Sequence, residues 1–136
     1  MRTFNKTEYD WGIKKELECL PFISEVLDDV IHNKETYNDF DYYTDTYDIE
    51  LKSRRNKKDT YSTTITTKIK RDKAIKSKKK VLWIFNFTDG LYYLNYEDHK
   101  DTINNLQVEK FFTRNGIRYN IEIPVTILSP LVDFKS

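Results

Sequence analysis

The run VLWIFNF, residues 81–87, leaves the fold little choice. A nearly continuous apolar stretch of this length is far short of the roughly 18 residues of a membrane span. It suits a central strand covered on both faces. Such a strand needs neighbours on each side. Asp89-Gly90 is a strong hairpin-turn signal, and LYYLNYE behind it reads as the returning partner. LQVEKFFT, then RNG, then IRYNIEIPV repeats the pattern as a second hairpin with Asn115-Gly116 in the turn. Pro124 belongs at an edge or strand end, because it has no N–H to donate to a ladder.

Helices are needed to cover the sheet. Across residues 13–31, Ile13, Leu17, Leu20, Ile23, Leu27, Val30 and Ile31 recur at three- and four-residue spacing, which predicts an amphipathic helix. Pro21 is expected to kink or divide it. Glu16 has Leu20 and Ile23 at i+4 and i+7, so it is expected on or beside the buried face, where a carboxylate needs a partner. A second helix is predicted from Thr64 to Ser77, with Ile65 and Ile69 inward and Lys68, Lys70, Arg71, Lys73 and Lys76 around the remainder.

Between them, residues 38–53 read as a β-hairpin, from their Phe, Tyr and Ile content and the alternation on both sides of TDTY. A two-residue turn at Asp45-Thr46 pairs Thr44 with Tyr47, Tyr43 with Asp48 and Asp41 with Glu50. Directly opposite residues share a face, so Asp41, Asp48, Glu50 and Lys52 point one way. Phe40, Tyr42, Ile49 and Leu51 point the other way, into a core. A shift of one residue would undo this grouping.

With 136 residues, three Gly and three Pro, the chain is expected to form one domain spanning 1–136, an α/β fold with a mixed sheet flanked by helices and an additional C-terminal β-hairpin. Cys19 alone makes no internal disulfide, and no Cys/His cluster suggests zinc. His32 and His99 stand apart and are expected as surface or loop residues. Residues 1–12 lack the apolar core of a secretory signal, so an intracellular, soluble protein without a membrane association is expected. The net charge of +1 hides a sharp division. Residues 1–51 carry five Lys/Arg against thirteen Asp/Glu, residues 52–80 thirteen against two, and residues 81–136 five against seven.

Two carboxylates opposed across paired strands repel by a few tenths to about 1 kcal/mol, a cost that a divalent cation would reverse. Mg²⁺ takes hard oxygen ligands, often one or two carboxylates with waters and phosphate oxygens. Asp41 and Glu50 supply that minimum, and the main-chain carbonyl of Leu51 could add to it. Lys52 projects from the same face, where it could position and stabilise an attacking hydroxide. Asp39 and Asp48 are alternatives for the role of Asp41.

The order Asp41, then Glu50-Leu51-Lys52 beginning nine positions later, on a hairpin that follows a helix carrying Glu16, resembles the PD-(D/E)XK nuclease superfamily. DIELKSR especially is similar to nuclease-like domains of large DNA viruses and phages. The resemblance covers roughly residues 12–97, with Phe40 where the motif has proline. It implies a restriction-endonuclease-like sheet, Mg²⁺ or Mn²⁺ dependence, and hydrolysis of DNA or, less often, RNA, in the cytoplasm or nucleus of a host cell or in a viral compartment. Asp41 and Glu50 would ligate the metal, Lys52 would assist the nucleophile, and Glu16 would complete or orient the metal shell.

The basic segment is usually a solvated face, but here it follows the acidic pair where a phosphate backbone would need neutralising. Ser53, Arg54, Arg55, Lys68 and Lys73 are the expected backbone contacts. Cutting both strands of a duplex would take two sites and implies a C2 homodimer. The alternatives are a non-catalytic nucleic-acid-binding or protein-interaction module that keeps the nuclease-like fold, and a partner-binding accessory protein with no nucleic-acid role.

Overall fold

A computed structural model describes residues 6–35, 39–114 and 116–135, and in them the chain is a mixed α/β structure. Helix α1 (Lys6–Val26) runs through Pro21 without dividing. Pro21 and Leu17, whose carbonyl the ring deprives of a partner, both lie on the solvent side, so water can satisfy that carbonyl. Burial of Cys19 and Ile23 holds the opposite face to the sheet. Leu17 is therefore exposed rather than inward. The chain turns through Asp29, a residue type that tolerates positive φ, at +57°, into the two-residue strand β1 (Ile31–His32).

The hairpin follows as β2 (Tyr42–Tyr43) and β3 (Tyr47–Ser53). Tyr43 pairs with Asp48, Thr44 N–H donates to the Tyr47 carbonyl at 2.9 Å, and Asp41 N–H donates to the Ile49 carbonyl at 2.9 Å. The register is the one the alternation predicts. Thr44 Oγ1 accepts from the amides of Thr46 and Tyr47 and closes the turn.

The expected helix from Thr64 to Ser77 is half strand. β4 (Thr63–Thr67) comes first, because every residue of TTITT is β-branched and packs better extended. α2 (Lys68–Lys76) starts only after Thr67, whose hydroxyl caps it by accepting from Lys70 N–H at 3.2 Å. The inward residues differ accordingly. Thr64, Thr66, Arg71 and Ala74 are buried, while Ile69 is 62% exposed and Ile65 only half-buried. Arg71 donates to the carbonyls of Ile103 and Leu106, at 3.2 and 2.9 Å, and so ties α2 to the end of the next helix.

β5 (Lys80–Phe87) is the buried central strand and lies parallel to β3. Gly90, at φ +151°, turns it into the antiparallel β6 (Gly90–Asn95). α3 (Tyr96–Asn104), capped by Asn95, was not foreseen, since its apolar positions are too few to show a period. β7 (Glu109–Thr113) and β8 (Gly116–Pro124) form the second hairpin, with Pro124 at the strand end; Asn115 of its turn lies outside the described residues. A short β9 (Ser129–Pro130) closes the set.

These strands make two sheets. One has six strands in the order β1-β2-β3-β5-β6-β9, and the other has three, β4-β8-β7. Leu82 and Ile84 of β5 face α1 together with Tyr42, Ile49 and Leu51. Val81, Trp83, Phe85 and Phe87 face the other way, against Ala74 of α2, Ile103 of α3 and Ile121 and Ile123 of β8. Phe40 packs into this second cluster and not, as the hairpin alternation suggested, beside Tyr42, because the chain has left the β2 ladder by that point. No helix among the described residues is long and apolar enough to cross a membrane.

Candidate active site

β3 alternates Ile49 and Leu51 toward α1 with Glu50 and Lys52 toward α2. Glu50 pairs in register with Trp83 and is 7% exposed. Asp41, just before β2, accepts the Leu51 N–H through Oδ2 at 2.8 Å, which draws its carboxylate across the turn toward Glu50. N–H and C=O of one strand residue share an edge, so the Leu51 carbonyl lies on the edge that Asp41 approaches. Burial raises the Asp41 carboxyl above the ordinary carboxylate range against the opposing pull of the Leu51 amide and Lys70. Burial, with Asp41 beside it, pushes Glu50 up to about 7.

Two cations answer these acids. Thr67 caps α2, which sets Lys70 in its first turn, and Lys70 Nζ reaches Glu50 Oε1 at 2.6 Å. Its burial works against its charge, but Glu50, Asp41 and Glu16 together outweigh that and raise its pKa. Lys52 is lowered instead, by burial and by Arg54, so its proton is held less firmly than on a free lysine. Glu50 Oε2 is buried with no hydrogen-bond partner among the described residues. A buried carboxylate oxygen left this way is costly unless something binds it.

Glu16 sits at the rim with a partner. His32 Nε2 lies 2.8 Å from Glu16 Oε1, and Tyr42 OH donates to the Glu16 main-chain carbonyl at 2.5 Å. Burial and the Asp41 charge raise the Glu16 carboxyl, and His32 opposes them. The His32 side chain is only 8% exposed, not at the surface as expected, because β1 brings it against Glu16 and the Tyr42 ring.

The alternatives for the acid role go elsewhere. Asp48 Oδ2 accepts from the Ser77 hydroxyl at 2.8 Å, anchoring the end of α2, and Asp39 lies 3.4 Å from Lys73. Of the expected backbone contacts, Lys68 and Lys73 line a cleft of about 540 Å³ together with Lys52 and Lys70. Ser53 accepts from the Asn86 amide at 3.1 Å. Arg54 donates to the Ile65 carbonyl and ties β3 to β4. Arg55 stacks on Trp11 of α1 at 3.9 Å and pairs with Glu8 at 3.3 Å. None of these three lines the cleft.

Lys70 and His32 were missed as site residues. The signal for Lys70 was Thr67, a cap residue three positions upstream, and for His32 it was the break after Asp28-Asp29. Asp41, Glu50, Lys52 and Lys70 are brought together, with Glu16 and His32 beside them. Among the described residues no group of three or more His, Cys, Asp or Glu side chains is arranged to hold a metal ion, so the acids here offer a pair. No protein-family model matches the chain, and neither a curated protein nor a solved structure is found to match it.

Proposed function

We propose that the chain is a metal-dependent nuclease with a restriction-endonuclease-like sheet, hydrolysing phosphodiester bonds in DNA. The observation that carries this reading is the buried, opposed pair Asp41 and Glu50, with one Glu50 oxygen unsatisfied and Lys52 on the same face. A helix, an antiparallel hairpin and a helical crossover to a parallel strand supply the matching frame.

The donor set fits a hard divalent cation with few protein ligands: two carboxylates, with the Leu51 carbonyl on the same edge. Asp41 and Glu50 would hold Mg²⁺ or Mn²⁺, while Glu16, engaged by His32, would orient from the rim. A cation bound there supplies charge neutralisation at a phosphate and a lowered pKa for a water ligand. Lys52, its own pKa depressed, can exchange a proton with a water at the scissile phosphate and stabilise negative charge as it develops. Lys68 and Lys73 hold the backbone and carry no sequence preference. Cutting both strands of a duplex would take two copies about a C2 axis, whereas a single strand needs one.

Purified protein is incubated with single-stranded, duplex and branched DNA in Mg²⁺ or Mn²⁺. Cleavage is expected, with loss in a Glu50→Ala, Lys52→Ala double variant; cleavage that survives in that variant overturns the reading. Mn²⁺ is also expected to raise the melting temperature more at pH 8 than at pH 5.5, because it competes with the Glu50 proton.

One observation favours a second reading, a non-catalytic nucleic-acid-binding module on the same frame. Lys70 Nζ, 2.6 Å from Glu50, already supplies the positive charge that the acids need. This reading expects salt-sensitive DNA binding without cleavage, and no effect of Mn²⁺ on melting.

A further inference from the structure

We propose that the β7–β8 hairpin is an arm that stacks on the bases of single-stranded nucleic acid and feeds its backbone into the cleft beside Lys52. The proposal deepens the nuclease reading by naming its substrate class, and rests on that reading for what happens at Lys52.

The arm is built by a pattern that outruns its core. Along β8, Ile117, Tyr119, Ile121 and Ile123 share one face, because strand residues alternate. Ile121 and Ile123 are fully buried, yet Ile117 and Tyr119 are 50% and 48% exposed. Across the ladder Phe112 pairs with Ile117 and Lys110 with Tyr119, so these four side chains lie on that same face. Phe112 is 78% exposed, and Lys110 Nζ lies 5.2 Å from its ring centroid. Every residue of β7 is exposed. An edge strand that carries exposed aromatics invites aggregation, and the fold would gain by making them polar unless they meet a partner.

The charge around the arm selects that partner. Ile117 and Tyr119 line the cleft together with Arg118, Lys52, Lys68 and Lys73. Lys68 pairs with Asp72 and Lys73 with Asp39, while the side chains of Arg118 and Lys52 have no hydrogen bond or ion pair among the described residues. Unpaired cations gathered at a concave wall fit a polyanion, and aromatics beside them fit a polyanion that carries flat rings. A duplex hides the faces of its bases in its own stack, whereas unpaired bases can be splayed onto aromatic side chains. Tyr119 borders both the aromatic face and the cleft, so a base stacked on it leaves its phosphodiester to Arg118 and Lys52.

Binding is measured by fluorescence anisotropy in EDTA, where no turnover occurs, with labelled oligothymidylate, oligouridylate and a DNA duplex of equal length. Both single strands, or either one, are expected to bind more tightly than the duplex. Phe112→Ala and Tyr119→Ala are each expected to weaken single-strand binding about 5- to 100-fold with an unchanged salt slope. Phe112→Trp and Tyr119→Phe restore it, and Arg118→Gln lowers the salt slope by about one. Phe112 is exposed, so its loss leaves folding intact, which circular dichroism checks.

A duplex bound as tightly as the single strands overturns the proposal. So does a Phe112→Ala or Tyr119→Ala variant that binds like wild type, or a Phe112-dependent dimer that binds no nucleic acid. The two readings separate cleanly. Cleavage in Mg²⁺ that is indifferent to the arm overturns this proposal alone, and arm-dependent single-strand binding without cleavage supports it while overturning the nuclease.

Discussion

The two faces of β3 solve opposite problems with neighbouring residues. Toward α1, Ile49 is fully buried among Tyr42, Leu82 and Ile84, where apolar packing is favourable and undirected. Toward α2, Glu50 is nearly as buried, but its neighbours include Asp41, which repels it, and Lys70, which answers only one of its oxygens. One face adds to the stability of the fold. The other holds charge in a place that the fold alone would not choose, which is the pattern of sites arranged for chemistry.

The largest expected effect breaks the apolar side. Ile49→Ala should cost about 2–5 kcal/mol through lost burial and a cavity in a close-packed cluster. On the other side of the same strand, Glu50→Gln removes one partner of the Lys70 pair but also a charge that burial and Asp41 oppose, so it should cost less than Ile49→Ala at pH 8 in the absence of metal. Ionising Glu50 there is unfavourable, and the amide keeps the shape while removing the charge. Urea unfolding of both variants measures the contrast, and a Glu50→Gln as damaging as Ile49→Ala would mean that the carboxylate is a structural ion-pair partner.

Removing the cation sharpens the contrast further. Lys70→Met keeps the stem and leaves Glu50 and Asp41 facing each other, a loss on the order of 3 kcal/mol while Glu50 is ionised. The sign with pH follows from the raised folded pKa of Glu50. The folded state holds its proton more tightly than the unfolded chain, so stability from this group is present below the ordinary glutamate range. It is lost as pH rises through about 7. Lys70→Met should therefore be much closer to wild type at pH 5 than at pH 8. An equal loss at both would place the effect of Lys70 in packing rather than charge.

The hairpin that carries this site was readable because three independent signals agreed: period-two alternation, a short polar turn, and aromatic and β-branched content. Together they specify the register to the residue, and the register places Asp41 beside Glu50. Lys70 was not readable in the same way. Its position depends on where α2 begins, and lysines that repeat through Lys68–Lys76 mask the shift from strand to helix that only TTITT marks. His32 was expected at the surface or in a loop, because counting Val30 and Ile31 into the helical period of residues 13–31 hides the two-residue strand that carries it. The arm at Phe112 and Tyr119 misleads in another sense. Its alternation reads as core, and nothing in the pattern says that the core ends at Ile121.

The smallest expected effect concerns Arg55, a sequence candidate for backbone binding that the fold has employed elsewhere. Its guanidinium lies over the Trp11 ring at 3.9 Å and against Glu8 at 3.3 Å, with both ion-pair partners more than half exposed. An exposed pair of this kind contributes about 0–1 kcal/mol, and a cation–π contact at the surface about as much. Arg55→Ala should thus lower stability by about 1 kcal/mol or less and leave the salt dependence of nucleic-acid binding unchanged. Arg118→Gln, on the cleft wall, should do the reverse: little change in melting temperature and a shallower salt slope. Measured side by side, the two variants separate basic residues that hold α1 to the strand end from those that face a phosphate. A shallower slope for Arg55→Ala would extend the binding surface past the cleft, around the end of β3 toward α1.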